Sequence, residues 1–484
     1  MTSTLKSKVL SATKWSILSE IVSKTITPLV FLTLTKILAP EDFGVVSVAI
    51  LILNFCQIII EAGLTKTLIF KQERINEIAN VVFWANLFLS IVVFISVFSF
   101  SHSIADYFND DRVINVVRIY GALIIVSGIS AVQSSLLQKD LNFKKLFWIK
   151  LLTTLTPGLF SVPLAFYGYG YWAILTGNIA SQILQCTFLW KFSKWRPTYS
   201  FDFKILKELL PFTKWVLLES ILYYSIAWGD SIIAGRFLGL KDLGVYTTGN
   251  NIVNIIFSLI FTPLFPIIFS SFSQVQHDLE KLKIYFVKII KYLSAFSLPI
   301  GIGLFSINEY IEITIFNDKW ASLGVVIGLI AIKDSIGYLI SINSEVYRSI
   351  GKPDLNVKLS LLHLLFIPLY IYSAQFGLFW FCIARISTLI TIPPHIFVVA
   401  KIFDFKKSFF WNSIKTNLFC SIVMLLVIEA FKLFLGENYS LTYLIVLIFV
   451  GGVSYISLTW LINKTLFKEI IDVTLQRSLI KKNV

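Results

Sequence analysis

Charge is what this chain most lacks. Only 14% of its 484 residues are Asp, Glu, Lys or Arg, against about 25% in a typical soluble domain. Hydrophobic residues make up 56%, and the mean hydropathy is +0.78. A soluble core of this size cannot hide so much apolar surface, so a large soluble enzyme is excluded. Cysteine is scarce too. Cys56, Cys186, Cys382 and Cys420 sit in apolar runs with no CxxC spacing. They read as small packing residues, with no disulfide framework or metal site behind them. The first 14 residues hold no signal-peptide h-region with a cleavage site. There is no GxxxxGK[ST] loop, so ATP hydrolysis is not expected.

What is present is a series of long apolar runs, such as 83–100 and 441–460. A helix needs about 20 mostly apolar residues to cross the hydrocarbon, and backbone polar groups must be satisfied inside it. Outer-membrane strands would alternate over ~10 residues instead. The expected fold is therefore all-α and integral to the membrane, with 14 transmembrane helices. The spans are 15–38, 45–62, 80–100, 116–137, 147–167, 172–190, 211–238, 245–269, 285–306, 322–347, 357–374, 379–400, 417–435 and 441–461.

The net charge of +14 does not point to nucleic acid, because the basic residues are segregated. With the N-terminus inside, all but ten of the 42 Lys and Arg residues fall in cytoplasmic segments and helix ends. Arg112, Arg118, Lys241 and Lys319 fall outside, and six remain within spans. This satisfies the positive-inside rule and places both termini in the cytoplasm. No outer loop exceeds roughly 17 residues and no inner loop roughly 20, which leaves no room for a soluble catalytic domain.

The chain also repeats itself at an offset of 200. Thr13-Lys14-Trp15 recurs as Thr213-Lys214-Trp215. Across 13–45, ten of 33 positions are identical without a gap, where roughly three are expected by chance in so biased a composition. Ser47 then aligns with Thr247 and Asn54 with Asn254. Six spans separate the copies, so both halves keep one orientation. That implies two six-helix lobes related by a pseudo-two-fold axis along the membrane normal, a plan common among transporters. The domains read as 1–195 (spans one to six), 196–405 (seven to twelve) and 406–484 (thirteen, fourteen and a cytoplasmic tail). The repeated Asp-x-Gly of 42–44 and 242–244 reads as a tight turn, with glycine supplying positive φ and Asp bonding the local backbone.

Taken in order, LAPEDFGV (38–45), EAGLTKTLI (61–69), GYGYWAI (168–174), FNDKW (316–320) and YRSIGKP (347–353) resemble the polysaccharide flippases of the MOP (multidrug/oligosaccharidyl-lipid/polysaccharide) superfamily. The resemblance covers nearly the whole chain; Asn317 stands where the usual pattern has Gly. It implies a bacterial inner-membrane carrier that moves undecaprenyl-diphosphate-linked oligosaccharide to the outer leaflet for O-antigen, capsule or exopolysaccharide. It also implies that spans one, two, seven and eight line a central cavity. The partners implied are the lipid-linked oligosaccharide, membrane lipids and the polysaccharide polymerase machinery. Rival readings are a lipid II flippase, a multidrug or small-molecule antiporter of the same superfamily, and, from another class, a membrane-embedded polymerase or ligase. The last needs acid/base groups facing water, and the longest outer loop offers Glu309, Glu312 and Asp318 with no positioned partner.

Ionisable residues within spans point to function by default. Glu20 and Lys24 share a face of span one with Ser16, Ser23 and Thr27. Asn54, Gln57 and Glu61 share one on span two. Glu219, Tyr223 and Asp230 mark span seven, and Asn251, Asn254 and Ser258 mark span eight. Lys24 can meet an anionic diphosphate or neutralise Glu20. Asp230 can take a coupling cation or pair with a lysine. Lys333 and Asp334, with Tyr338, Ser341 and Glu345, mark span ten, and Arg385 marks span twelve. The candidate substrate pathway is thus Glu20, Lys24, Asn54, Gln57, Glu219, Asp230, Asn254, Lys333, Asp334 and Arg385. Lys36 and Arg236 are read as snorkelling to headgroups, Glu429 and Lys432 as a local pair, and His363 and His395 as isolated. No catalytic residue, resident metal or cofactor is expected. H+ or Na+ is the expected coupling ion.

Overall fold

The computed structural model describes residues 3–61, 64–65, 68, 73–316, 318–352, 354–406, 408–436, 438–462 and 464. Among them every regular element is helical. Two compact units divide the chain, Met1–Thr247 and Thr248–Val484. The first holds α1 (Ser3–Ile37), α2 (Pro40–Glu61), α3 (Ile75–Ser99), α4 (Ser101–Phe108), α5 (Arg112–Lys139), α6 (Phe143–Phe166), α7 (Tyr171–Phe192) and α8 (Phe203–Phe237). The division falls within α9 (Leu240–Phe261). The second unit continues with α10 (Phe265–Gln274), α11 (Leu279–Ser306), α12 (Asn308–Ile315), α13 (Leu323–Ser349), α14 (Asp354–Ser360), α15 (Ile367–Ala374), α16 (Leu378–Ile386), α17 (Ile392–Phe403), α18 (Phe409–Leu435) and α19 (Leu441–Ile462). The repeat boundary at 195 records sequence similarity, whereas the boundary at 247 records packing.

Among the described residues, twelve helices are long and apolar enough to cross a membrane. They coincide with twelve of the fourteen expected spans. The other two expected spans lie on α7 and α8, continuous helices of 22 and 35 residues. Asn178, Gln182 and Gln185 dilute α7, whereas on α8 the side chains of Phe212, Lys214, Trp215 and Val216 lie outside the described residues.

Two expected spans are not uniform helices. Leu361–Phe366, between α14 and α15, and Ser387–Thr391, between α16 and α17, are 3-10 turns. Prolines open both following helices, Pro368 in α15 and Pro393 and Pro394 in α17. A proline has no N–H to give and crowds the carbonyl four residues earlier, so the ladder tightens ahead of it.

The reading of Asp-x-Gly as a positive-φ turn is corrected here. Gly44 and Gly244 both lie inside helices, each the fifth residue of its helix, α2 or α9. They are needed for close approach. A Cβ on Gly44 would stand 1.8 Å from the Leu240 carbonyl oxygen, and one on Gly244 would stand 1.9 Å from that of Pro40. The repeated glycines thus let the repeated helix starts touch backbone to backbone. Ser47 and Thr247, also repeat partners, share a 3.0 Å hydrogen bond between their hydroxyls. The positive-φ glycine is Gly239, just before α9, at φ 87°. Asp42 does bond the local backbone: its carboxylate accepts from the Ala39 N–H at 3.1 Å. It also accepts from the Tyr171 N–H at 2.8 Å, which pins the start of α7.

In the second unit the 316–320 run turns the chain into α13. Trp320 is fully buried, edge-on to Phe316 with centroids 6.0 Å apart. Glu312 accepts from the backbone N–H of Gly324 at 2.6 Å and of Ser322 at 3.3 Å, capping α13 from α12. Glu309 accepts from the Tyr439 hydroxyl at 3.0 Å. Two of the outer-loop acids therefore do have positioned partners, and the roles are structural. Glu429 and Lys432 pair at 2.8 Å as expected, and Ser306 donates to Glu429 at 2.7 Å.

Candidate functional site

The polar faces expected on the first two spans diverge. On α1, Glu20 is exposed and Lys24 half-buried. Beside them the hydroxyls of Ser23 and Thr154 lie 3.4 Å apart, tying α1 to α6. On α2, Asn54 and Gln57 are half-buried. Gln57 donates to the Ser127 hydroxyl at 3.4 Å, and Gln182 of α7 donates to the same oxygen at 2.6 Å. Nearby on these helices, Asn178 donates to the Tyr120 hydroxyl at 2.7 Å. Gln57 is therefore one member of an amide and hydroxyl network joining α2, α5 and α7. The backbone of Glu61 closes α2, and its side chain lies outside the described residues.

The face on α8 splits as well. Glu219 and Tyr223 are exposed, whereas Asp230 is buried at 4% exposure. A bare carboxylate there would be very costly. Tyr246 of α9 donates its hydroxyl to Asp230 Oδ2 at 2.6 Å, and the Ser231 N–H donates to Oδ1 at 2.7 Å. The neighbouring Tyr224 hydroxyl donates to the Leu51 carbonyl at 2.6 Å, locking α8 to α2. Further along α9, Asn251 and Asn254 are exposed, and Ser258 bonds its own helix through the Ile255 carbonyl at 3.1 Å. Arg236 departs from the snorkelling expectation. Its guanidinium donates to the carbonyls of Asp106 at 3.1 Å and Tyr107 at 2.6 Å, closing the end of α4.

In the second unit three predicted residues lie on α13 and α16, helices that pack against each other. Lys333 and Asp334, adjacent on α13, pair at 2.6 Å. Arg385 on α16 lies over the Tyr370 ring at 5.2 Å. A cation inside an apolar bundle attracts an added anion strongly. The rest of the α13 stripe has other roles. Tyr338 stacks on Phe257 at 5.2 Å, and Glu345 pairs with Arg348 at 3.1 Å.

Sequence reading overlooked Ser127, Gln182, Asn178, Tyr120 and Tyr246. A signal was present: each is a hydrogen-bonding side chain inside an apolar run. They stand in apolar surroundings and carry no charge to mark them.

Comparison with known proteins bears on the family and the fold. The model of a family described as "Polysaccharide biosynthesis protein" matches residues 33–324. The chain is 25% identical over 486 residues to the succinoglycan biosynthesis transport protein ExoT of Rhizobium meliloti (strain 1021), covering 99% of this chain and 98% of that one. It is 23% identical over 379 residues to the lipopolysaccharide biosynthesis protein WzxC of Escherichia coli (strain K12), covering 77% and 76%. Among solved structures, the lipid II flippase MurJ in its inward closed conformation superposes with a TM-score of 0.76 at 14% identity, over 93% of this chain and 99% of that one. An inward-facing multidrug resistance MATE family transporter of the MOP superfamily gives 0.61 at 15% identity, over 78% and 94%. At such identities the structural likenesses speak for the fold alone.

Proposed function

The chain belongs to the polysaccharide biosynthesis protein family, and on that premise we propose that it is a flippase for a polyprenyl-diphosphate-linked oligosaccharide. The substrate is delivered from the cytoplasmic to the outer leaflet of a bacterial inner membrane, for O-antigen, capsule or exopolysaccharide assembly. The naming of its relatives as transport and lipopolysaccharide biosynthesis proteins supports this. The observation that carries it is the retention of charged and amide side chains within otherwise apolar helices. Lys24, the Gln57–Ser127–Gln182 network, the Lys333–Asp334 pair and Arg385 place polar groups where an apolar side chain would serve a membrane helix better. A sugar and a diphosphate crossing the bilayer need such groups to replace water.

In this reading all fourteen helices span, both termini are cytoplasmic, and the carrier alternates access between the two faces. Lys24 meets the diphosphate. Lys333 and Arg385 offer positive charge on the second half of the route. Asp230 takes up the coupling ion, H+ or Na+, as Tyr246 turns its hydroxyl away. The chain performs no bond chemistry; the structural roles of Glu309 and Glu312 support that.

The test is a leaflet assay in proteoliposomes loaded with lipid-linked oligosaccharide. Native protein moves the lipid to the opposite leaflet in the presence of an ion gradient. Protein that binds the lipid but moves none of it under any gradient overturns the reading.

A further inference from the structure

In the first unit α5 packs against both α2 and α7, and α2 packs against α7. Where the three meet, Ser127 and Tyr120 of α5 form a floor, buried at 4% and 3% exposure. Three half-buried amides stand over it: Gln57 of α2, and Asn178 and Gln182 of α7. Gln57 and Gln182 both donate to the Ser127 hydroxyl, at 3.4 and 2.6 Å, and Asn178 donates to that of Tyr120 at 2.7 Å. Asn178 and Gln182 are four residues apart and so share one face of α7.

One donor of each amide is thus spent on a buried hydroxyl. A primary amide keeps a second N–H and a carbonyl oxygen with two lone pairs. The carbonyl oxygens of these three residues are not enclosed atoms without a partner; they face away from the floor, each beside a remaining N–H. The repeat shows that packing does not require them. The residue equivalent to Gln57 at the offset of 200 is Phe257. It is fully buried and stacks on Tyr338 of α13 at 5.2 Å. Spans two and four therefore meet through an amide and a hydroxyl, whereas spans eight and ten meet through two rings. Hydrogen bonds between membrane helices add little to stability beyond packing, so the polar version needs another reason.

We propose that Gln57, Asn178 and Gln182 read the hydroxyl groups of the sugar carried on the lipid diphosphate, and so set which saccharide the carrier accepts. This rests on the flippase reading and gives its two chemistries separate places. A sugar hydroxyl donates one proton and accepts another, which matches an amide oxygen beside an N–H. Diphosphate oxygens only accept, so the carbonyls repel them and they go to Lys24. A cationic drug would call for a carboxylate, and all five members of the network are uncharged. Ser127 and Tyr120 are positioning residues: they hold the amides in place before the sugar arrives, which lowers the entropy lost on binding. A saccharide without the matching hydroxyl leaves an amide unpaired in a half-buried site, and that is costly.

The experiment is equilibrium binding to the full chain in nanodiscs. The probes are undecaprenyl diphosphate and its glucosyl, galactosyl and N-acetylglucosaminyl forms. At least one sugar-bearing form binds native protein more tightly than the bare diphosphate, by about ten-fold or more, and the three differ among themselves. In Gln57→Leu/Gln182→Leu that advantage disappears. Ser127→Ala loses part of it, and Ser127→Thr, which keeps the hydroxyl, retains it. Melting temperatures check that each form is folded, and Gln182→Met stands in for the double variant if that one is not. Native protein that binds the sugar-bearing forms no better than the bare diphosphate overturns the proposal and leaves the flippase reading standing, since the diphosphate is still bound. A folded amide variant with the native preference overturns it as well. Binding of none of the four lipids overturns the flippase reading, and the proposal with it.

Discussion

Asp230 and Lys24 pose opposite problems to the bilayer. Asp230 is buried and held by two strong donors, Tyr246 and the Ser231 amide, so its carboxyl group is fixed in place. Lys24 is half-buried on a helix whose neighbouring Glu20 is exposed. If Asp230 takes up the coupling ion, Asp230→Asn keeps an acceptor for Tyr246 and loses the titrating charge. Flipping by that variant is expected to become indifferent to an imposed ion gradient while lipid binding persists. A gradient response equal to the native one removes Asp230 from coupling. For Lys24→Ala the expectation is a loss of ~10- to 100-fold in flipping rate, the worth of one charge-assisted hydrogen bond to phosphate of about 1.5–3 kcal/mol. Undiminished flipping in the leaflet assay removes Lys24 from the route.

At the scale of helices, the contact between the starts of α2 and α9 is the most constrained feature. The neighbours of Gly44 and Gly244 are backbone atoms at under 2 Å from any added Cβ, and backbone cannot rotate away as a side chain can. Gly44→Ala and Gly244→Ala are each expected to cost about 1–3 kcal/mol or more. The two together should cost less than the sum, since they break one shared contact. Thermal unfolding of purified protein checks this, with Gly229→Ala as control: nothing lies within 4 Å of its added Cβ. Asp42→Ala removes the acceptor for two amides, on Ala39 and Tyr171, for about 0.5–2 kcal/mol. Faster hydrogen exchange at the first turn of α7 is its signature. These residues also show what could be read in advance. The repeat at offset 200 marked both glycines from sequence, because identity at ten positions survives any fold. Their role was not legible, since a glycine kept for positive φ and one kept for close approach look alike in a string of letters. The hydroxyl pair of Ser47 and Thr247 shows the same limit: alignment matched them as equivalents, and only coordinates make them partners. In the candidate site, charge was visible because it is rare in an apolar chain. The amides of Gln182 and Asn178 were masked by the hydrophobic residues around them.

For the whole molecule, the count of spans turns on α7 and α8. The amides of α7 and the Glu219 and Asp230 carboxyls of α8 put polar groups in the middle of both helices. Length does not object: the 22 residues of α7 reach about 33 Å at 1.5 Å per residue, enough for a hydrocarbon core of about 30 Å. Burial supplies the reason that low hydropathy is tolerable. Gln182 and Asn178 spend their polarity inside the first unit, on Ser127 and Tyr120, and Asp230 spends its own on Tyr246. A helix whose polar groups are satisfied by protein presents lipid with little that needs water. Three positions decide the matter. Tyr167, Tyr199 and Lys241 are all exposed and flank α7 and α8 in turn. In a background with the four native cysteines replaced, single cysteines at these positions are treated with a membrane-impermeant maleimide on intact cells. Cysteines in place of Tyr167 and Lys241 should label, and the one in place of Tyr199 only after permeabilisation. That alternation requires both helices to cross and sets the count at fourteen with both ends inside. Labelling of all three from the same side would mean that α7 and α8 lie on one face, and would reduce the bundle to twelve.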